Sequence, residues 1–142
     1  MKILFVCTGN TCRSPMASAM MAQLFPAFEI CSAGLMAAQN APATAHAIAV
    51  MKEREIDLDG HRSQVVNIAL LKQVDLVLTM TQGHKEAMLR SFPGFEIYTL
   101  GEYCETADIS IADPYGGNVE DYRNCANEIY SLITKIDKFR ND

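Results

Sequence analysis

The sequence predicts an α/β fold built on a parallel sheet with helices on both faces. Two observations carry this: short apolar runs typical of buried strands, and helical patterns that separate them in the order βαβαβαβα. Size is the third. With 142 residues, 49% hydrophobic and 20% charged, the chain has material for one core and one domain spanning residues 1–142.

Residues 2–7 (KILFVC) form an unbroken apolar run and read as a strand buried on both sides. Pro15 suits the first turn of a helix that runs through residues 16–21 to Phe25. Residues 28–31 (FEIC) read as a second strand, closed by a turn at Ser32-Ala33-Gly34. Asn40 is placed as the cap of a helix with Pro42 in its first turn, continuing through Ile48 and Met51 to Glu55; the Ala-rich stretch 37–49 is a loop leading into it. Residues 74–80 (VDLVLTM) give the third strand. Residues 84–91 give a short helix stopped by Pro93-Gly94, and residues 96–100 (EIYTL) the fourth strand. From Val119 onward, Tyr122, Ala126, Ile129, Ile133 and Ile136 follow at three- and four-residue steps, the pattern of an amphipathic terminal helix. No linker, repeat or low-complexity segment interrupts this order.

Composition narrows the function classes. A net charge of −5 argues against a broad basic footprint for nucleic acid. The apolar run at residues 3–7 is too short for a signal-peptide core, and no segment reaches the ~18–20 apolar residues of a membrane helix. A soluble cytoplasmic protein is expected. The five cysteines (Cys7, Cys12, Cys31, Cys104, Cys125) are odd in number and irregular in spacing, which suits no disulfide framework. There is no C-x-x-C pair, and His46, His61 and His84 fall at no ligand spacing from a cysteine, so no structural zinc is expected.

In open α/β sheets the ligand crevice lies outside the C-terminal strand ends. The first strand ends at Cys7, and residues 7–14 read CTGNTCRS, followed by Pro15. Gly9 and Asn10 are the residue types that most readily take left-handed backbone angles, and a loop curled this way turns successive N–H groups inward as an anion nest. The helix start adds unpaired N–H groups and its positive dipole end. Arg13 supplies a rigid fork matching two oxyanion oxygens, and the positive surroundings favour the thiolate form of Cys7. Ser14 is placed to hydrogen-bond the sulfur. A nucleophile facing an oxyanion cradle is apparatus for phosphoryl transfer through a phosphocysteine. The loop holds no G-x-x-x-x-G-K-[ST] and is not a nucleotide P-loop.

Thiolate attack needs a group to protonate what leaves. Asp113-Pro114-Tyr115-Gly116-Gly117 lies between the fourth strand and the last helix, again at the C-terminal sheet edge. Pro114 restricts Asp113 to extended geometry. From there Asp113 can act as acid in the first step and as base toward water in the second.

The run VCTGNTCRSPMA at residues 6–17, with DPYGG at residues 113–117, resembles the low-molecular-weight protein tyrosine phosphatases. The likeness extends along essentially the whole chain, through Ser32-Ala33-Gly34 and DLVLTM at residues 75–80. It implies a flavodoxin-like three-layer sandwich with strand order 2-1-3-4. It also implies Cys7 as nucleophile, Arg13 as phosphate clamp, Asp113 as general acid, and neither metal nor cofactor. The phosphate loop is then Thr8, Gly9, Asn10, Thr11, Cys12, Arg13 and Ser14, with Asn10 and Ser14 ordering it. His61, in the H-R-S segment, either corresponds to the histidine that hydrogen-bonds the loop asparagine or is a surface or capping residue. Tyrosine-directed members usually carry Ile or Leu where this chain carries Thr11, and CTGNTCRS is similar to the bacterial protein arginine phosphatase branch. His84-Lys85 and residues 113–117 also match that branch best. A phosphoarginine side chain is a polar guanidino group, for which Thr11 offers a hydroxyl. Tyr115 puts one aromatic at the rim, compatible with either substrate.

Phosphotyrosine is therefore the alternative substrate. A thioredoxin-coupled arsenate reductase would need redox cysteines after the third strand, where residues 81–90 hold none. The expected partners are phosphorylated proteins, with phosphate-like oxyanions in the loop and no nucleic acid or membrane. A monomer is expected. Cys12 is either a redox partner that forms a reversible disulfide with Cys7 or a thiol packed under the loop. Cys31, Cys104 and Cys125 read as packing residues.

Overall fold

A computed structural model describes residues 1–104 and 110–136. Strands β1 (Lys2–Cys7), β2 (Glu29–Gly34), β3 (Leu76–Thr79) and β4 (Ile97–Thr99) form one parallel sheet in the order β2-β1-β3-β4. Helices α1 (Arg13–Leu24), α2 (Ala45–Glu53), α3 (Ile68–Gln73), α4 (Gln82–Ser91), α5 (Leu100–Tyr103) and α6 (Val119–Thr134) connect and cover it. The order 2-1-3-4 with helices on both faces is the flavodoxin-like arrangement that the resemblance implies.

The alternation of side chains along β1 shows why the sheet is buried twice. Ile3, Phe5 and Cys7 face a core shared with Met16 and Met20 of α1, Met51 of α2 and Ile129 of α6. Leu4 and Val6 face a second, smaller core with Leu71 of α3 and Met88 of α4. Each large apolar side chain removed from water this way contributes about 1.5–3 kcal/mol. With both faces dry, polar residues have no place between Ile3 and Val6, which is why the strand reads as an unbroken apolar run.

Several boundaries differ from the expectation, each for a local reason. Ser32-Ala33-Gly34 is not a turn: these residues complete β2, with Gly34 paired to Cys7 and bridged to Val65. The second helix begins at Ala45, because the Thr44 hydroxyl, not Asn40, caps it by accepting from the Ala47 N–H. Asn40 takes a left-handed turn (φ 61°) and donates its N–H to the Ser63 carbonyl. Helix α3 was not foreseen. Its six residues are too few to show a period, although the Asn67 side chain caps it by accepting from Leu70 N at 2.8 Å. The four-residue α5 is held by a capping box between Thr99 and Glu102. The third strand is shorter than residues 74–80, and α4 starts at Gln82 because Thr81 caps it. The terminal helix begins at Val119 as expected, with a capping box between Asn118 and Asp121, and buries Tyr122, Ala126, Ile129 and Ile133.

Candidate active site

Cys7 ends β1 opposite Gly34, at the C-terminal edge of the sheet. Its sulfur lies 2.9 Å from Ser14 Oγ and accepts from the Asn10 backbone N–H at 3.3 Å. The loop that follows is held by Asn10, which is fully buried and left-handed (φ 58°). Its Nδ2 donates to Ser14 Oγ and to Ser32 Oγ, both at 2.9 Å. Its Oδ1 accepts from Gln64 N at 3.0 Å, and its carbonyl oxygen lies 2.7 Å from His61 Nε2. The contact between His61 and the loop asparagine is therefore present, made to the backbone. Among the described residues the positive-φ glycines are Gly94 and Gly116, so the left-handed turn of this loop belongs to Asn10 and not to Gly9.

The loop rests on its neighbours through backbone contacts. Leu35 and Met36 donate their N–H groups to the Cys7 and Thr8 carbonyls at 3.0 and 2.9 Å, and Thr44 donates to Thr11 O at 3.0 Å. A Cβ at Gly34 would stand 2.5 Å from Thr8 O and 3.0 Å from Asn10 N. Glycine at that position is what lets the loop lie against β2.

Arg13 opens α1, and its side chain is only 5% exposed. Nη1 donates to the Ile111 carbonyl at 2.8 Å and Nη2 to Thr8 Oγ1 at 3.4 Å. Nη2 also pairs with Asp113 Oδ2 at 3.5 Å, while Asp113 Oδ1 accepts from Tyr115 N at 3.0 Å. Asp113 is half exposed, Tyr115 largely so, and Gly116 takes the positive φ (83°) that turns the chain after them.

These groups enclose a cleft of about 310 Å³. Of the ten residues singled out from the sequence, eight line it: Cys7, Thr8, Gly9, Thr11, Cys12, Arg13, Asp113 and Tyr115. Asn10 and Ser14 stand behind it as supports. Ala38, from the loop after β2, also lines the cleft and carried no signal in the sequence. Cys12 Sγ lies 3.3 Å from Tyr122 Oη and 3.7 Å from Thr44 Oγ1. Burial and that contact push the Tyr122 phenol up to about 12. Burial also raises the Cys125 thiol to about 12 and pushes Cys31 up, while Cys104 Sγ donates to Leu132 O at 2.9 Å. His84 reaches the cleft wall from α4, with Nε2 2.9 Å from Thr8 Oγ1. Burial and, second, the Arg13 guanidinium push its imidazole down to about 4, against an opposing pull from Asp113. In the sequence His84 stands out only through its place in the motif His84-Lys85. Its contact joins residues 76 positions apart, which spacing does not reveal.

A parallel sheet of order 2-1-3-4, with a cysteine and an arginine at the two ends of one loop and an aspartate across the cleft, defines the class of small cysteine phosphatases. The chain belongs to the family described as low molecular weight phosphotyrosine protein phosphatase, whose sequence model matches residues 2–138. It is 41% identical over 138 residues to the protein-arginine-phosphatase of Geobacillus stearothermophilus, covering 95% of this chain and 93% of the relative. It is 38% identical over 138 residues to the low molecular weight protein-tyrosine-phosphatase PtpB of Staphylococcus aureus, covering 96% of each. Among solved structures it is similar to the YwlE arginine phosphatase, in a Cys-to-Ser mutant with a phosphorylated active-site serine. That match has a TM-score of 0.94 and 34% identity, covering 100% of this chain and 97% of the other. Among the described residues, no helix is long and apolar enough to cross a membrane.

Proposed function

We propose that this chain hydrolyses phosphoarginine in proteins, with Cys7 as nucleophile, Arg13 as phosphate clamp and Asp113 as acid and then base. The observation that carries the reading is the convergence of the Cys7 sulfur, the Arg13 guanidinium and the Asp113 carboxylate on one cleft. In the first step the thiolate attacks phosphorus, the S–P bond forms and the P–N bond breaks. Asp113 gives its proton to the departing guanidino nitrogen. In the second step water attacks the phosphocysteine, Asp113 takes the water's proton, and phosphate leaves as the thiolate is restored. The N–H of Asn10 and the hydroxyl of Ser14 steady the sulfur as it leaves.

The choice of substrate rests on Thr11, half-buried in the cleft wall. A hydroxyl there suits the polar edge of a guanidino group better than the apolar face of an aryl ring. Tyr115, 72% exposed at the rim, would serve an aryl phosphate equally well, so phosphotyrosine is the second reading. The protein acts in the cytoplasm as one domain over residues 1–142 and as a monomer. The test is a side-by-side kcat/KM comparison on two peptides that differ only in carrying phosphoarginine or phosphotyrosine. Preference for phosphoarginine is the expected result; equal rates, or preference for phosphotyrosine, would overturn the substrate assignment.

A further inference from the structure

The buried histidine behind the phosphate loop has a hydrogen-bond arrangement that fixes its tautomer. His84 is only 7% exposed, and its backbone is fixed by the Thr81 hydroxyl, which accepts from the His84 N–H at 3.0 Å. Nε2 lies 2.9 Å from Thr8 Oγ1, whereas Nδ1 is buried with no hydrogen-bond partner among the described residues. The imidazole is neutral near pH 7, since burial and Arg13 hold its pKa down to about 4. One ring nitrogen then carries the hydrogen and the other a lone pair. A hydrogen on Nδ1 would be an unpaired buried N–H, the rarer and costlier defect. A hydrogen on Nε2 leaves only a lone pair unpaired, and Nε2–H donates to Thr8 Oγ1. That oxygen also accepts from Arg13 Nη2 at 3.4 Å. With both of its acceptor sites filled, the hydroxyl has its own hydrogen free, and Thr8 lines the cleft.

We propose that His84 is a positioning residue: with Arg13 it occupies the acceptor sites of Thr8 Oγ1 and so aims the Thr8 hydroxyl at the phosphoryl oxygens. Thr8 then adds a side-chain donor to the backbone N–H groups of the loop. Such a donor strengthens as negative charge builds on those oxygens, and it is fixed before substrate arrives. The inference rests on the phosphatase reading for its effect on rate, but its effect on anion binding is independent of that reading.

The test compares wild type, Thr8→Val, His84→Leu, the double variant and His84→Gln. Each is measured for kcat/KM on a phosphoarginine peptide and, by calorimetry, for affinity toward inorganic phosphate. Thr8→Val and His84→Leu should each lower both quantities about tenfold, the size of one hydrogen bond to a charged group. The double variant should be no worse than Thr8→Val alone. His84→Gln, whose amide can donate from near the Nε2 position, should recover to within about threefold of wild type. Additive losses in the double variant, or a His84→Gln protein as poor as His84→Leu, would overturn the positioning role. Should His84→Leu not fold, His84→Asn, whose amide is too short to reach Thr8, takes its place. Coupled losses in phosphate affinity without hydrolysis of the phosphoarginine peptide by wild type would overturn the phosphoarginine reading and leave the positioning role standing. Unchanged phosphate affinity across the series would overturn the positioning role whatever the hydrolytic rates.

Discussion

Asp113 is half exposed, held 3.5 Å from Arg13, and lines the cleft together with Cys7. Asp113→Asn keeps the shape and removes the proton. The loss in kcat/KM, which reports the step that breaks the bond to the leaving group, should be about 10²–10⁴-fold for a poor leaving group and much smaller for an activated aryl phosphate, read from paired steady-state assays. An equal loss on both would contradict an acid role. Thr11→Ile should move the ratio of kcat/KM on the two peptides toward phosphotyrosine, and an unmoved ratio would remove Thr11 from substrate choice. Cys12 offers a further test, because it is a free thiol lining the same cleft as Cys7. Mild oxidation with peroxide should yield a Cys7–Cys12 disulfide by peptide mass spectrometry; sulfinic acid on Cys7 with no bridge would exclude it. At this scale the loop was legible because consecutive residues carry its chemistry. Ser32, Gln64 and His84 were not, since they reach the loop from distant elements. The Ile111 carbonyl that holds Arg13 is backbone and leaves no trace in residue type.

Strand ends and helix starts turn these residues into a site. Gly34, paired with Cys7, ends β2, and the loop after β1 passes over it within the space of a missing Cβ. Gly34→Ala places a methyl 2.5 Å from the Thr8 carbonyl, so the loop must move. Stability should fall by about 1–3 kcal/mol in urea unfolding. The kcat/KM should fall more steeply, by about 10²-fold, since small displacements of positioned groups are costly. A wild-type rate in that variant would mean the loop does not depend on its seat. The sequence marked Ser32-Ala33-Gly34 as a turn because small residues usually punctuate chains; here small size serves close approach inside a strand. Asn40 and Thr44 are both cap-type residues, and it is the Thr44 hydroxyl that caps α2, while its N–H ties that helix to Thr11. Short helices such as α3 and α5 show no helical period in four to six residues, whereas the six residues of β1 form one unbroken apolar run and the sixteen of α6 span several turns.

Across the whole molecule, a net charge of −5 is compatible with the proposed anion site, because the field that site needs is local. In the proposed reading it rests on one buried guanidinium and the start of α1. The same arrangement links stability to pH. His84 titrates at about 4 in the folded chain and at its ordinary 6.5 when unfolded. Between those values the unfolded chain holds a proton that the folded one does not. The neutral-imidazole contribution is therefore complete above pH 6.5 and is lost as pH falls toward 4, at a cost of up to about 3 kcal/mol. Urea unfolding of wild type and His84→Gln at pH 7 and pH 4.5 checks this, because the variant should lose about 2–3 kcal/mol less over that interval. Parallel losses would show that His84 is not the group responsible. The covalent step can be observed on the protein itself. In Asp113→Asn an activated aryl phosphate, whose leaving group needs no proton, still loads Cys7 while hydrolysis of the intermediate lacks its base. Brief incubation followed by mass spectrometry should therefore find one phosphoryl group on the peptide containing Cys7. Consumption of the aryl phosphate with Cys7 left unmodified would contradict the mechanism at its centre.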